Sequence, residues 1–470
     1  MKFATRISNL PPYLFAELNK SVNARRKAGI DVINFGIGDP DVPPPSFILD
    51  SLSMEVRDPK NMAYPNYYGL PETRQAIADW YKRRFLVSLE PDTEVLPLIG
   101  SKEGIANLAT AMLDPGDIAL VPSPGYPVYQ LGTLLVDGIS QIMPCTEATD
   151  YLPDFDAIPP QIAEQARVMW LNYPNNPTGA TVDLDFFKRA VEYAHRYDIL
   201  IAHDNPYSDI YFDDYCPPSV LQVDGAKEVA VEFNSLSKTY SMAGARIGMV
   251  VGNARVVEAL GRVKSNIDSG VFTAVQRTAI KALSSDQSWI PQRNKIYERR
   301  RDVLVEALCH AGLPCRKPRA SLYLWGKVPR GFTSMDFAFH LLDEIGVFVT
   351  PGSGFGGCGE GHFRMSLTVA DQQVDDAVER LSRLRLGLGV QKALSGGEIS
   401  PRRPTKPPAG VGGEISKCQS CSSERSMLGG WGGIEAGQHL SPKPPLGAFC
   451  CSPARLRQVS AAEQTPPIPR

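Results

Sequence analysis

The sequence contains no run of about 18 consecutive apolar residues, so no membrane-spanning helix is predicted. Its opening residues, MKFATRISNLPPY, lack the apolar core of a secretory signal. Charge of one sign is also missing. A formal net charge of −2 on 470 residues gives no global field for nucleic acid. No helix-turn-helix segment with basic bias precedes residue 40, which argues against a DNA-binding regulator. The nine cysteines are odd in number and scattered without framework spacing, which excludes a disulfide scaffold and fits a reduced, cytoplasmic setting. Cys418 and Cys421 form a lone CxxC, and Cys450 and Cys451 are adjacent. A zinc site needs two well-spaced pairs, so no metal is expected. GGEIS occurs at 396 and again at 412, but no 20–50-residue period follows.

What is present is an ordinary globular composition, 43% apolar and 21% charged, in a chain too long for one small core. Up to about residue 390, β-rich runs alternate with helical patterns. The runs are DIALVPSP, RVMWLNYP, DILIAHDN, EVAVEFNS and RIGMVVG. Ile105, Leu108, Ala109 and Met112 fall on one helical face, as do Val374, Ala377, Val378, Leu381 and Leu384. Such alternation predicts an α/β fold with a mostly parallel sheet covered on both sides. From 284 onward a helix, the strands SLYLWGKV, VFVTPGS and FRMSLT, and a helix opened by Asp371 predict a smaller α+β domain. The expected division is 1–45 joining that smaller domain, 46–283 as the large domain, 284–388 as the small one, and 389–470 as a tail. Residues 391–470 hold 11 Gly, 11 Pro and 10 Ser with neither helical nor strand period, a composition that predicts disorder.

The chemistry concentrates at strand ends. FNSLSKTYSMAGARIG places Ser235, Ser237, Lys238 and Arg246 just past a strand's carboxyl end, where open α/β sheets hold ligands. A lysine forms a Schiff base when its neutral amine is held against a carbonyl. Two hydroxyls and a guanidinium fork suit a phosphate. NYPNNPTG ends another strand with Asn176, in residues that also make plain turns. ILIAHDNPY ends a third with Asp204 and, three later, Tyr207; an Asp there is also an ordinary cap. LIGSKEGIANL sets Ser101 and Lys102 at a helix start, suited to phosphate or to simple N-capping. PSPGYP places Tyr126 after a further strand, as a stacking or a core aromatic. Together these groups fit one ligand, an aromatic cofactor with a phosphate, a ring nitrogen, a phenolic oxygen and an aldehyde. GSGFGG at 352–357 is a literal GxGxxG, but CGEGHFRMSL leads into a β-run rather than a helix, so it reads as a loop and not a dinucleotide site.

YPNYYGLPETR, GSKEG, PSPGYP, NYPNNPTG, HDNPY, SLSKTYSMAGARIG and FRMSLT, in that order across residues 3–388, resemble the fold-type I pyridoxal-phosphate aminotransferases. The resemblance implies an aspartate-aminotransferase-like large domain and pyridoxal 5'-phosphate as cofactor. It implies Lys238 as the Schiff-base lysine and proton shuttle, and Asp204 as partner of the pyridine nitrogen. It further implies Tyr207 and Asn176 at the phenolic oxygen, Tyr126 stacked on the ring, and Ser101, Lys102, Ser235, Ser237 and Arg246 around the phosphate. Tyr64 would reach a neighbouring subunit's phosphate, so a homodimer is implied. Arg364 would clamp the substrate α-carboxylate, with Gly38 lending backbone nearby and Lys102, Tyr126 and Asn176 also facing the substrate. Within the family, LPPYLFAEL, FGIGDPDVP, HDNPYSDI and VKSNIDSGVF look most like the LL-diaminopimelate aminotransferase group of lysine biosynthesis, with Tyr13 and Asn266 as substrate contacts. The partners implied are an amino acid and a 2-oxo acid, 2-oxoglutarate for the second half-reaction, with neither nucleic acid nor membrane. Aspartate- or alanine-type transamination, β-lyase or C–C bond-forming chemistry on the same fold, and a non-enzymatic ligand sensor are the competing readings. Ala245 stands where near relatives carry a bulky aromatic, and the tail has no family counterpart.

Overall fold

The computed structural model describes residues 3–12 and 14–384, with the backbone alone at residue 15. Tyr13, the CxxC at 418–421 and the predicted tail at 389–470 lie outside the described residues.

Seven strands form one sheet in the order Val95–Leu98, Gly248–Gly252, Ala230–Ser235, Leu200–Asp204, Ala166–Leu171, Ile118–Ser123 and Ile139–Pro144. Five run parallel in succession, and Gly248–Gly252 is antiparallel to both of its neighbours. The β-rich runs of the sequence therefore become a mixed, mostly parallel sheet. Its strands are apolar at almost every position because helices cover both faces. Side chains alternate between those faces. Met169, Leu171 and Ile201 enter one core with Trp80 and Phe187. Val168, Trp170, Leu200, Ala202, Val231 and Phe233 enter the other with Ile105 and Leu108.

That alternation decides where the chemistry lies. Asp204 has the parity of Leu200 and Ala202, and Ser235 that of Val231 and Phe233. Both polar residues thus end their strands on the face of the second core, at the carboxyl edge of the parallel strands. Helix Ser101–Met112 covers the same face, burying Ile105, Leu108 and Ala109. It begins where Gly100 turns the chain at φ 73°, a conformation that favours glycine.

A second sheet has three antiparallel strands, Thr350–Pro351, His362–Ser366 and Tyr323–Lys327. Helices Leu14–Lys27, Trp289–His310, Ser334–Ile345 and Asp371–Ser382 share its core through Leu18, Val22, Leu304, Phe337, Leu341, Val374 and Ala377. Ile33–Asn34 pairs in parallel with Val347–Phe348, which ties the amino-terminal segment to this part of the molecule. GSGFGG forms a 3-10 turn at Gly352–Phe355, and the next regular strand is His362–Ser366, so no helix opens after the glycines.

Phe233 is fully buried beside Trp170 and packs where a Cβ at Gly104 would come within 3.1 Å of its ring. Phe233→Ala is expected to cost about 3–5 kcal/mol of stability by leaving a cavity. A lowered urea midpoint would show it, and an unchanged midpoint would mean that this core does not support the strand leading to Ser235.

Candidate active site

One cavity of about 430 Å³ opens at the carboxyl edge of the large sheet. Gly38, Ser101, Lys102, Tyr126, Asn176, Asp204, Tyr207, Ser235, Ser237, Lys238, Arg246 and Arg364 all line it. These positions run from Gly38 to Arg364, and the strand ends and the small sheet bring them together.

Lys238 sits on a single helical turn, Leu236–Thr239, directly after strand Ala230–Ser235. Its Nζ donates a 2.6 Å hydrogen bond to the Gly38 carbonyl, so its amine points across the cavity toward the amino-terminal segment. Arg293, buried on helix Trp289–His310, donates to the carbonyls of Lys238 and Asp209 and holds the two segments in register.

Asp204 is buried to 4% exposure. Its Oδ2 accepts from the Tyr129 hydroxyl at 2.7 Å, and its backbone carbonyl accepts from Asn172 Nδ2 at 2.7 Å. Its Oδ1 is buried without a hydrogen-bond partner among the described residues. An orphaned carboxylate oxygen in a protein interior is costly. Burial pushes this carboxyl up to about 6, opposed by the Tyr129 hydrogen bond and the nearby His203. An N–H donor on a cationic ring would satisfy Oδ1 and lower that value.

Around the opposite rim, Ser101 opens its helix, and the Ser235 and Ser237 hydroxyls and the Arg246 guanidinium converge with it on the cavity. Arg246 is held by donating to Ala243 O at 2.9 Å and Ile99 O at 3.4 Å. A helix N-terminus with hydroxyls and a guanidinium is an anion cradle. Tyr126 stands edge-on to Tyr129, and the Lys102 ammonium lies 5.9 Å from the Tyr126 ring centre.

On the small-sheet side, Arg364 donates to Asn176 Oδ1 at 2.9 Å and to Gly36 O at 2.8 Å. Its guanidinium lies between the Tyr323 and Phe355 rings, 4.3 and 4.7 Å from their centres. Tyr207 and Tyr323 share a 3.0 Å hydroxyl–hydroxyl hydrogen bond, and burial raises the Tyr207 hydroxyl well above the usual phenol range.

Two sequence-predicted residues stand apart from this cavity. Tyr64 is 90% exposed. Asn266, on helix Ala254–Ile267, donates to Arg262 O at 2.8 Å and does not line the cavity. Sequence reasoning also missed Tyr129, Asn172, Tyr323 and Arg293. Tyr129, three positions beyond Tyr126 at the start of a helix, and Asn172, at a strand end, carried detectable signals. Tyr323 and Arg293 carried none, being set in an apolar strand and an ordinary charged helix.

The sequence matches the family described as aminotransferase class I and II over residues 30–381. The chain belongs to that family. It is 52% identical over 385 residues to an LL-diaminopimelate aminotransferase of Dehalococcoides mccartyi, covering 82% of this chain and 99% of that protein. An LL-diaminopimelate aminotransferase of Aquifex aeolicus is 49% identical over 385 residues, covering 82% and 100%. Among solved structures, substrate-bound BacF of Bacillus subtilis superposes with a TM-score of 0.78 at 35% identity, covering 82% of this chain and 98% of that one. A Thermus thermophilus aspartate aminotransferase variant gives a TM-score of 0.77 at 26% identity, covering 82% and 99%. The fold is therefore that of aspartate aminotransferase, and the enzyme is a pyridoxal-5'-phosphate-dependent transferase. The cavity suits that cofactor: a carboxylate oxygen without a partner meets the need of a pyridine N–H, and the cradle at Ser101 meets that of a phosphate.

The raised Asp204 carboxyl has a signed consequence. The folded apoprotein binds this proton more tightly than the unfolded chain, so the group's contribution to stability is fully present below about pH 4. It is lost as pH rises through about 6. Relative to Asp204→Asn, the wild-type apoprotein is expected to lose about 3 kcal/mol across that window. Urea unfolding at several pH values checks this, and parallel curves for the two proteins would contradict it.

Proposed function

We propose that the enzyme transfers the amino group of LL-diaminopimelate to 2-oxoglutarate, giving tetrahydrodipicolinate and glutamate, a step of lysine biosynthesis. The observation that carries this reading is identity near 50% over almost the full length of relatives that bear the LL-diaminopimelate aminotransferase name. The large sheet and its helices, residues 46–283, are read as the cofactor-binding domain. Residues 284–388 with 1–45 are read as the smaller domain, whose described part brings Arg364 and Gly38.

Pyridoxal phosphate, when bound, supplies a covalent anchor for the substrate amine and a sink for the electrons left when the Cα proton departs. The chain's own groups do the rest. Asp204 Oδ1 would hold a proton on the ring nitrogen and so keep that sink cationic. Tyr207 and Asn176 would bind the phenolic oxygen, Tyr126 would cover the ring, and Ser101, Lys102, Ser235, Ser237 and Arg246 would bind the phosphate. Arg364 fixes the α-carboxylate with a planar fork already seated between two rings, which orients the Cα–H bond. Lys238 Nζ would take the Cα proton as a general base and give it back as a general acid. Its 2.6 Å hydrogen bond to the Gly38 carbonyl, on the side where Arg364 is read to hold the substrate, supports this role.

Tyr64 and Asn266 complete the site from a second copy of the chain in this reading. Tyr64, Tyr67, Tyr68, Met62, Ile267 and Phe272 are all exposed large apolar residues, which suits burial in a homodimer. Among the described residues no helix is long and apolar enough to cross a membrane. Cys145, Cys216, Cys309, Cys315 and Cys358 are all free thiols, which supports a reduced, cytoplasmic setting.

Purified enzyme with LL-diaminopimelate and 2-oxoglutarate is expected to form glutamate, and Lys238→Ala to reduce the rate at least about 10³-fold. In the same assay, LL-diaminopimelate alone should bleach the visible cofactor band and 2-oxoglutarate should restore it. A band that responds to aspartate or alanine but not to LL-diaminopimelate would overturn the substrate assignment. Release of pyruvate and ammonia would overturn transamination itself.

A further inference from the structure

Arg364 lies on the small sheet and Tyr207 follows a strand of the large one, and Tyr323 touches both. Tyr323 is buried on the small-sheet strand Tyr323–Lys327. Its register partner on the next strand is Ser366, two residues from Arg364, so the Tyr323 and Arg364 side chains share a face diagonally. The Arg364 guanidinium lies 4.3 Å from the Tyr323 ring centre, a cation–π distance. The Tyr323 hydroxyl meets that of Tyr207 at 3.0 Å, with the two rings edge to face at 5.6 Å. Gly38 closes the third side. A Cβ there would fall 2.6–2.7 Å from Tyr323 ring carbons, so this position has room only for glycine while Tyr323 holds its place. The same Gly38 carbonyl receives the Lys238 amine.

A phenol has one proton to donate. If Tyr207 spends its proton on Tyr323, it presents only lone pairs elsewhere. If Tyr323 donates instead, the Tyr207 proton is free to face an anionic oxygen in the cavity, and the two bonds polarise each other. We propose that Tyr323 is a positioning residue linking the two sheets at the site: its ring seats Arg364 for the substrate carboxylate, and its hydroxyl donates to Tyr207 so that Tyr207 donates to the cofactor's phenolic oxygen. The second half of this rests on the placement of Tyr207 at that oxygen proposed above. Gly38 keeps Tyr323 in place by having no side chain.

Two variants separate the roles, with Tyr207→Phe as reference and the loaded enzyme as material. Tyr323→Phe keeps the ring and removes the hydroxyl. A weaker donor at the phenolic oxygen leaves more negative charge beside the cofactor's protonated nitrogen. The pH midpoint of the visible absorption band should therefore rise, by about two- to threefold in proton affinity. Its dissociation constant for glutarate, an unreactive dicarboxylate, should stay within about twofold of wild type. Tyr323→Leu should show the same midpoint rise and also bind glutarate about fivefold more weakly, because the aromatic seat is gone. If Tyr207→Phe moves the midpoint and Tyr323→Phe does not, the link is overturned while the placement of Tyr207 stands. If neither moves it, the placement of Tyr207 falls and the link with it. If Tyr323→Leu binds glutarate as wild type does, the ring does not seat Arg364.

Discussion

One carboxylate oxygen organises this molecule. Asp204 Oδ1 lies at the end of a fully buried strand with no partner among the described residues, and burial lifts its carboxyl to about 6. A protein keeps such a group only if something else completes it, since an unpaired buried acceptor is costly. Asp204's second oxygen and its backbone carbonyl are already fixed by Tyr129 and Asn172, so it cannot turn away to find water. The rigid sheet aims a single open acceptor at the cavity. A cationic ring nitrogen is the group whose chemistry it fits.

The remaining polar residues are arranged about that acceptor by two sheets with different tasks. The large sheet delivers groups at strand ends and at the start of helix Ser101–Met112, all on one face. The small sheet contributes Arg364 and Tyr323 from neighbouring strands. The join is made by apolar packing of Tyr207, Ile210 and Phe212 into the small-sheet core and by a set of hydrogen bonds at the cavity. Asn176 meets Arg364, Tyr207 meets Tyr323, Lys238 meets Gly38, and Arg293 holds the carbonyls of Lys238 and Asp209. Movement of the small sheet would therefore be felt at Asn176 and Tyr207 together.

Much of this was legible before any coordinates. Lys238, Asp204 and Arg246 are polar residues that follow apolar runs and stand out in a linear sequence, whereas Arg364 was named from the resemblance of FRMSLT to the family. The mostly parallel sheet followed from strand–helix alternation, although the reversed direction of Gly248–Gly252 did not, because strand direction is set by pairing and not by composition. Tyr129 and Tyr323 were harder to see. Each sits among apolar neighbours where an aromatic is most often packing, and only the three-dimensional fold turns its hydroxyl to a partner. Gly38 was named from resemblance, but its need to be glycine comes from Tyr323, far along the chain. Tyr64 and Asn266 were named from resemblance and lie away from the cavity of a single chain. GSGFGG shows the converse, a motif legible in letters whose surroundings form turns and a strand.

The most direct test of this account is the protonation state of the ring nitrogen that Asp204 is held to meet. Enzyme loaded with pyridoxal phosphate labelled with ¹⁵N at the pyridine position would be examined by nitrogen NMR near about pH 8, for wild type and Asp204→Asn. The account predicts a protonated nitrogen in the wild type and loss of that proton in the variant. An unprotonated nitrogen in the wild type, or identical spectra for the two proteins, would contradict it.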